Sequence, residues 1–440
     1  MNTALNRRQF LRRSVLFGTG LAATGPLIRI GRAAANAKLN IGFIGTANRA
    51  AADLEEVARL TDAVNVAALC DVDDNFLAQA RLKHPAAKGY NDFRQLIDQK
   101  DLDAVVVATP DHTHAVATAA ALRTGRHVYC EKPLTHTVAE CRVVRELAAK
   151  EKRVTQLGTQ IHAGGNYRRV VELIQSGAIG PVNEVHVWVG AVYGGKDAPK
   201  GTVPVPPGLH WDLWIGPVPF RPYHPEYAPF AWRNWWAFGG GTIADFGCHF
   251  MDLPHWALEL RAPSWVEPVD GPPVHPESTP PWAIVRYRYP ARQLGGVTLP
   301  PVALTWYHGG KQPGSPLLDD EQRKYFKSGV LFVGEKGNLL ADYDRRQLLP
   351  EDKFKGFQAP PKTIPDSIGH HKEWVEAIRK GGTTTCNFDY SGALTEAALL
   401  GNVAYRLGRR IEWDAPNLRA LACPEADQFI QYQYREGWKL

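Results

Sequence analysis

The chain has 440 residues, 44% of them hydrophobic, enough to bury a large core and to fold as two domains. Its formal charge of +6 is concentrated: residues 1–35 hold six arginines and neither an acid nor a lysine, so the remainder balances to zero. That balance removes any global electrostatic case for nucleic acid or an anionic membrane as partner.

The first predicted element is a targeting segment. Asn6-Arg7-Arg8-Gln9-Phe10-Leu11-Arg12 resembles the twin-arginine export motif. An apolar run from Val15 to Ile30 follows, broken by Gly18, Gly20, Gly25 and Pro26, and then Ala33-Ala34-Ala35. The breaks argue against a membrane helix, so cleavage near Ala35 and a periplasmic location are expected; the alternative is a basic tail. The six cysteines (70, 130, 141, 248, 386, 423) are scattered without CxxC or zinc-type spacing. This argues against a disulfide framework and leaves a single pair open.

Leu39 to Gly45 reads as a strand running into a turn, and Ala51, Leu54, Val57 and Leu60 then follow a helical period. Val64 to Cys70 is a second strand ending on Asp71, which completes a βαβ unit. An acid at that place can hydrogen-bond the adenosine ribose hydroxyls and repel a 2′-phosphate, which favours NAD over NADP. A G-x-G-x-x-G pattern aligned on Gly45 would need glycines at 47 and 50, where this chain has Ala47 and Ala50. Ala50 is an accepted variant; Ala47 is a departure, because the backbone there must approach the pyrophosphate closely.

Asp103 to Pro110 is a buried strand, followed by Asp111-His112-Thr113-His114 and an alanine-rich helix from Ala115 to Leu122. The two histidines could be metal ligands, but no acid or cysteine lies at ligand spacing, so supporting or helix-capping roles are expected. His127 to Cys130 is the next strand, closed by Glu131-Lys132-Pro133. Proline cannot donate to a sheet, so Lys132 is held at a carboxyl end, where open parallel sheets bind ligands. A helix (Val138 to Ala149) and a strand (Val154 to Leu157) complete an alternation that predicts a doubly wound parallel sheet.

Beyond Gln160, Tyr167, Val170, Val171 and Ile174 have helical spacing, and Val182 to Val189 alternates as a strand. The segment from Gly194 to Pro229 is too long for a plain connection and reads as lid-like. The aromatic residues in and just after it (Trp211, Trp214, Tyr223, Tyr227, Trp232, Trp235, Trp236) could stack on sugar rings, but most are expected to pack the loop onto the sheet. Asp245 and His249 are four apart and share a face on a helical turn, where the carboxylate could fix the imidazole's tautomer. A metal held by Asp245, His249 and His162 lacks an identifiable further ligand and is not expected. Ala303 to His308 and Val330 to Val333 are strands, and a helix carries His370 and His371, for which solvation or capping is expected. The stretch from Leu394 to Leu407 is a helix with one apolar side.

Taken together, Gly42-Phe43-Ile44-Gly45, Ala108-Thr109-Pro110-Asp111-His112-Thr113-His114, Cys130-Glu131-Lys132-Pro133-Leu134 and Asp245-Phe246-Gly247-Cys248-His249 resemble the Gfo/Idh/MocA oxidoreductases. The resemblance implies an α/β protein: a Rossmann domain with a doubly wound parallel sheet, then a C-terminal α/β domain with a large, mostly antiparallel open sheet. The expected division is a signal over 1–35, the dinucleotide-binding domain over 36–158 and a substrate and oligomerisation domain over 159–440. It implies Lys132, Asp245 and His249 as the catalytic group, and NAD held by Gly45, Thr46, Ala47, Asn48, Arg49, Asp71, Thr109, Pro110, His114, Glu131, Lys132 and Gln160.

The activity so implied is oxidation of a sugar, sugar derivative or cyclitol, in a homo-oligomer. His249 would act as base, Lys132 would stabilise charge on the substrate oxygen, and Asp245 would orient His249 or bind a neighbouring hydroxyl. Export adds a constraint, since little free NAD is available outside the cytoplasm, so a tightly held cofactor is expected. Redox-neutral glycoside cleavage and a non-catalytic carbohydrate-binding relative are the alternatives.

Overall fold

Six short strands form the first sheet: β1 (Leu39–Ile44), β2 (Val64–Cys70), β3 (Lys88–Tyr90), β4 (Ala104–Val107), β5 (His127–Cys130) and β6 (Thr155–Leu157). They lie in the order β3-β2-β1-β4-β5-β6, and every pairing is parallel. The apolar runs demand this: all four residues of β4 are buried, as a strand covered on both faces requires. The chain reverses its direction of winding between β1 and β4, and the crevice opened there at the carboxyl ends of the strands is where such sheets take a ligand. The computed structural model describes residues 38–294 and 296–440. The twin-arginine segment expected over 1–35 lies outside the described residues.

The second sheet has nine strands in the order β15-β14-β13-β7-β12-β9-β8-β16-β17. They are β7 (Val182–Val189), β8 (Trp265–Asp270), β9 (Ala283–Tyr289), β12 (Val302–His308), β13 (Gly329–Gly334), β14 (Gly337–Ala341), β15 (Arg346–Leu349), β16 (Ile411–Asp414) and β17 (Arg419–Leu421). β10 (Arg292–Leu294) and β11 (Val297–Leu299) form a separate hairpin. Only the β7–β12 pair is parallel, with Thr305 opposite His186. On one face, Val285, Tyr287, Leu304 and Trp306 are buried in the main core with Leu400 and Val403 of the helix Phe388–Leu407. On the other, Glu184, Arg286 and Tyr307 are half-buried or exposed, while Trp188, Leu331 and Leu340 are covered by Leu318 and Phe326.

The helix Phe388–Leu407 ties the two sheets together. Glu396, 4% exposed, accepts from Arg142 and Arg145 on the helix Val138–Glu151, each at 3.0 Å. Its other side crosses the helix Gly241–Phe250 so closely that a Cβ on Gly247 would lie 3.0 Å from that of Ala398. The glycine inside Asp245-x-Gly-x-His249 therefore serves helix packing. Gly401 has a similar reason, since a Cβ there would meet the Tyr287 hydroxyl.

Three expectations change. The helix expected from Ala115 begins at Asp111, so the Asp-His-Thr-His stretch is its first turn, with Pro110 as the preceding cap. Pro110 has an extended φ/ψ that suits a cap, and an acid in the first turn favours the helix dipole. His370 and His371 are buried rather than solvated: their Nε2 atoms lie 2.9 Å from the Leu157 carbonyl and from Asp53 Oδ1. The aromatic residues after Gly194 do not pack on the sheet. Trp211, Trp214, Tyr223, Tyr227, Trp232 and Trp235 form a cluster of their own, and Trp236 alone of the seven joins the main core.

Candidate active site

The first-domain half of the site is a cleft over the carboxyl ends of β1, β2 and β4. Gly45, Thr46, Ala47, Asn48, Arg49, Asp71, Thr109 and Pro110 all line it. Gly45 has φ +95°, and a Cβ there would lie 2.5 Å from the Ala108 carbonyl oxygen, so only glycine fits the turn. Asn48 takes φ 54°, ψ −118°, an uncommon backbone for a side-chain-bearing residue, directly after Ala47. The Asp71 carboxylate is oriented by the Thr46 N–H and hydroxyl, both at 2.9 Å, and by the Asp73 N–H at 3.0 Å. Burial raises its pKa, against those three donors.

This cleft is roofed. The Asp74 N–H donates to the Gly208 carbonyl at 2.9 Å and the His210 N–H to the Val72 carbonyl at 2.8 Å, which lash the segment after Gly194 onto the first domain. Leu209, Trp214, Tyr223, Phe230 and Trp232 then line the cleft from above. Trp438, near the C-terminus, lines it as well: its ring lies 6.0 Å from that of Phe93, and Arg435 next to it bonds Asp212 at 2.6 Å.

The second half lies where β5 meets the helix Gly241–Phe250. Lys132 Nζ donates to Asp245 Oδ1 at 2.6 Å and to the Asp245 carbonyl at 2.9 Å, which leaves one of its three N–H bonds free. Arg233 also donates to Oδ1, through Nε at 3.0 Å, with its guanidinium 4.1 Å above the Trp232 ring. Burial pushes Asp245 up, but the two cations overcome it and hold the carboxyl well below the usual range. Asp111, 3% exposed, has no ion pair among the described residues, and burial pushes it up to about 8 against the pull of Arg233 and Lys132. Tyr193 stacks against Phe246, and burial followed by the charge of Asp245 raises it to about 12.

His249 lies one turn beyond Asp245, as the spacing predicts, but its ring does not bond that carboxylate. Asp245 is taken by Lys132 and Arg233, so the expected orientation of His249 by Asp245 is corrected. Burial and then Lys132 push the imidazole down to about 3, and its buried Nδ1 has no partner among the described residues. At pH 7 the ring is neutral, and burial and Lys132 oppose its taking up a proton.

Four residues expected at the cofactor stand behind the cleft lining. Lys132 is joined to the cleft only through Asp245 and Arg233. Glu131 is buried and accepts from Gln160 at 2.6 Å, with Arg49 Nε at 3.3 Å; Gln160 also donates to the Tyr129 hydroxyl at 2.9 Å. The His114 ring nitrogens lie 2.7 Å from the carbonyls of Pro133 and Thr109, and those of His112 at 3.3 Å and 2.8 Å from Phe238 and Trp214. Both histidines thus hold backbone, the supporting role expected of them. His162 does not approach Asp245; its Nδ1 lies 3.0 Å from Asp252.

Arg233 was missed by the sequence reading. It lies in a run of tryptophans that invites a packing interpretation, and the available signal was a lone cation within that run, twelve residues before Asp245.

Fold and site together define a Rossmann-type dinucleotide-binding protein with an appended sheet domain. Two models of one family match in succession: "Oxidoreductase family, NAD-binding Rossmann fold" over residues 39–159 and "Oxidoreductase family, C-terminal alpha/beta domain" over 167–293, together more than half of the chain. The chain belongs to the Gfo/Idh/MocA oxidoreductase family.

Among similar proteins, the inositol 2-dehydrogenase of Salmonella typhimurium is 34% identical over 169 residues, 38% of this chain and 49% of that one. The chain thus spans about half the length of the curated relatives it matches. The WlbA dehydrogenase from Bordetella pertussis, solved with NADH and UDP-GlcNAcA, has a TM-score of 0.60 at 16% identity, covering 86% of this chain and 99% of that one. The aldose-aldose oxidoreductase from Caulobacter crescentus, solved with glycerol, has a TM-score of 0.55 at 16% identity over 86% and 100%. These structures share the fold.

Proposed function

We propose that the protein is an NAD-dependent oxidoreductase acting on a CH–OH group of a sugar, sugar derivative or cyclitol. The observation that carries this reading is the Lys132–Asp245 pair at the carboxyl end of β5, with Arg233 linking it to the roofed dinucleotide cleft. The cleft fits NAD: the glycine turn leaves no room for a Cβ, and Asp71 presents an oriented carboxylate where a ribose diol would bind and a 2′-phosphate would be repelled. NAD bound there supplies the hydride acceptor. The residues do the rest. Asp245 and its two hydrogen bonds fix Lys132, whose remaining N–H stabilises charge developing on the substrate oxygen. The base assigned to the hydroxyl proton is His249, one turn beyond Asp245. The names of the relatives, inositol and nucleotide-sugar or aldose enzymes, support a polyhydroxylated substrate.

Lys132→Met should lower turnover about 10²–10⁴-fold while leaving NAD content unchanged. Undiminished turnover with any sugar or cyclitol substrate of the wild type would sink the assignment.

Export through the twin-arginine route to the periplasm, with cleavage near Ala35, belongs to the same proposal and rests on Arg7-Arg8 and the run that follows. Changing both arginines to lysine should retain the uncut protein in the cytoplasm; unaltered periplasmic yield would remove this part. A cofactor loaded before export and kept on the enzyme suits that location, and the double cover of the cleft supports it. Self-association through the part of the nine-stranded sheet's outer face that carries Glu184, Arg286 and Tyr307 completes the proposal, and light scattering on the purified protein reads it directly.

A further inference from the structure

Away from the cleft, the described residues enclose a second cavity of about 220 Å³. Its wall combines the C-terminal segment (Phe429, Tyr432), the helix Phe388–Leu407 (Asn402, Arg406) and the glycine loop that leads into the helix of Asp245 (Gly239, Gly240). Arg406 is the charged centre of that wall. Its guanidinium carbon is 4.1 Å from the centre of the Phe429 ring and 4.9 Å from that of Trp236. The Trp236 indole is itself fixed by donating to the His275 carbonyl at 3.1 Å.

Arg406 makes no hydrogen bond or ion pair among the described residues. Arg142, Arg145 and Arg233, by contrast, each reach a carboxylate at 3.0 Å, although Arg153 and Arg288 share the lack of an ion pair among the described residues. The acid in the wall, Glu277, is already engaged by Arg221. Those two charges cancel and leave Arg406 uncompensated. Burial pulls its pKa down to about 10, with Glu277 only partly opposing, as a desolvated cation without a counter-ion should behave.

A guanidinium packed against two rings is restricted in position, and its N–H fork matches a carboxylate or phosphate edge. The cavity is far larger than a water needs. The geometry points to a binding site for a small oxyanion, a phosphate or carboxylate group of a small molecule, with Arg406 as its counter-ion. The ligand would touch Gly239 and Gly240, and Asn402 already donates to the Gly240 carbonyl at 2.8 Å. The site does not depend on the redox reading of the cleft.

The test is calorimetric titration of the full-length protein, saturated with NAD to keep anions out of the cleft, at fixed ionic strength. Inorganic phosphate and acetate are the two probes. Wild type is expected to bind at least one of them saturably at one site in the millimolar range or below; which one binds identifies the oxyanion. Arg406→Met, which preserves the stem between the rings, should weaken that binding at least about tenfold, the share a single charge-assisted bidentate contact carries. Glu277→Gln removes a competing carboxylate and releases Arg221, so it should bind the same probe several-fold more tightly. It decides the matter should the Arg406 variant fail to fold. Absence of saturable binding by wild type, equal affinity in Arg406→Met, or weaker binding in Glu277→Gln would each overturn the proposal.

Discussion

Asp245 is one carboxylate shared by two cations, with side chains of Lys132, Asp245 and Arg233 only 12%, 7% and 22% exposed. The asymmetry of burial makes the three residues unequal. Replacing Lys132 by methionine leaves Asp245 on Arg233, whereas Asp245→Asn leaves two adjacent cations without a counter-charge. Asp245→Asn should therefore cost about 3–5 kcal/mol and Lys132→Met distinctly less, measured by urea unfolding. Equal losses would mean that Lys132, not the carboxylate, anchors the cluster. Asp111 offers a pH test. An unfolded aspartate titrates near 4 and the folded one at about 8, so the folded chain holds an extra proton across that window. Stability from this group is then full at the acid end of the window and falls as pH rises through about 8. In Asp111→Asn the fall in melting temperature between roughly pH 5 and pH 9 should be shallower. It should not vanish, because burial pushes Glu131 up to about 8 as well. Lys132, Asp245 and His249 were readable as a group only through the motifs that resemble the family's, since a lone lysine or a lone Asp-x-x-x-His pair is more often a surface feature. The partner choices were not: a spacing of four brings Asp245 and His249 to one face, but cannot reveal that a distant arginine claims the carboxylate first.

Turns and helix starts decide the element scale. Gly45 combines φ +95° with a Cβ position 2.5 Å from a backbone oxygen, so nothing flexible can yield. Gly45→Ala should cost on the order of 1–3 kcal/mol and lower the NAD recovered with the protein, read by thermal melting and by ultraviolet absorbance of the denatured extract. A normal NAD content would show that the turn does not contact the dinucleotide. Strand β4 was legible as an unbroken apolar run, and β1, β2, β5 and β6 from mainly apolar stretches alternating with helical ones. β3 was not: Lys88-Gly89-Tyr90 is a three-residue edge strand without an apolar signature. The start of the helix at Asp111 was misplaced for a related reason, since polar first-turn residues look like a loop until the proline cap before them is recognised.

At the scale of the molecule, the notable feature is a cleft closed by two segments remote in sequence. The segment after Gly194 folds on its own aromatic cluster, where Trp211 and Trp214 stack at 4.7 Å, and is bonded to the first domain at Val72 and Asp74. The C-terminal Trp438 closes the adjacent edge, between Phe93 and the guanidinium of Arg94 at 4.9 Å. Trp438→Ala should speed dissociation of bound NAD(H) several-fold with little change in melting temperature, because a half-buried terminal ring contributes little to the core. An unchanged dissociation rate would assign retention to the aromatic segment alone.

By itself, the amino-acid sequence determined the alternation of strands and helices in the first domain, the glycine turn, the acid ending β2 and the lysine ending β5. Each is a local consequence of hydrophobic period, proline and glycine geometry. Only the tertiary structure decided that Arg233 joins Asp245, that the aromatic segment roofs the cleft and that, among the described residues, His249 Nδ1 has no partner and Arg406 no counter-ion. Those outcomes depend on which residues, far apart in the chain, compete for one carboxylate or one apolar surface, and no local pattern records the winner.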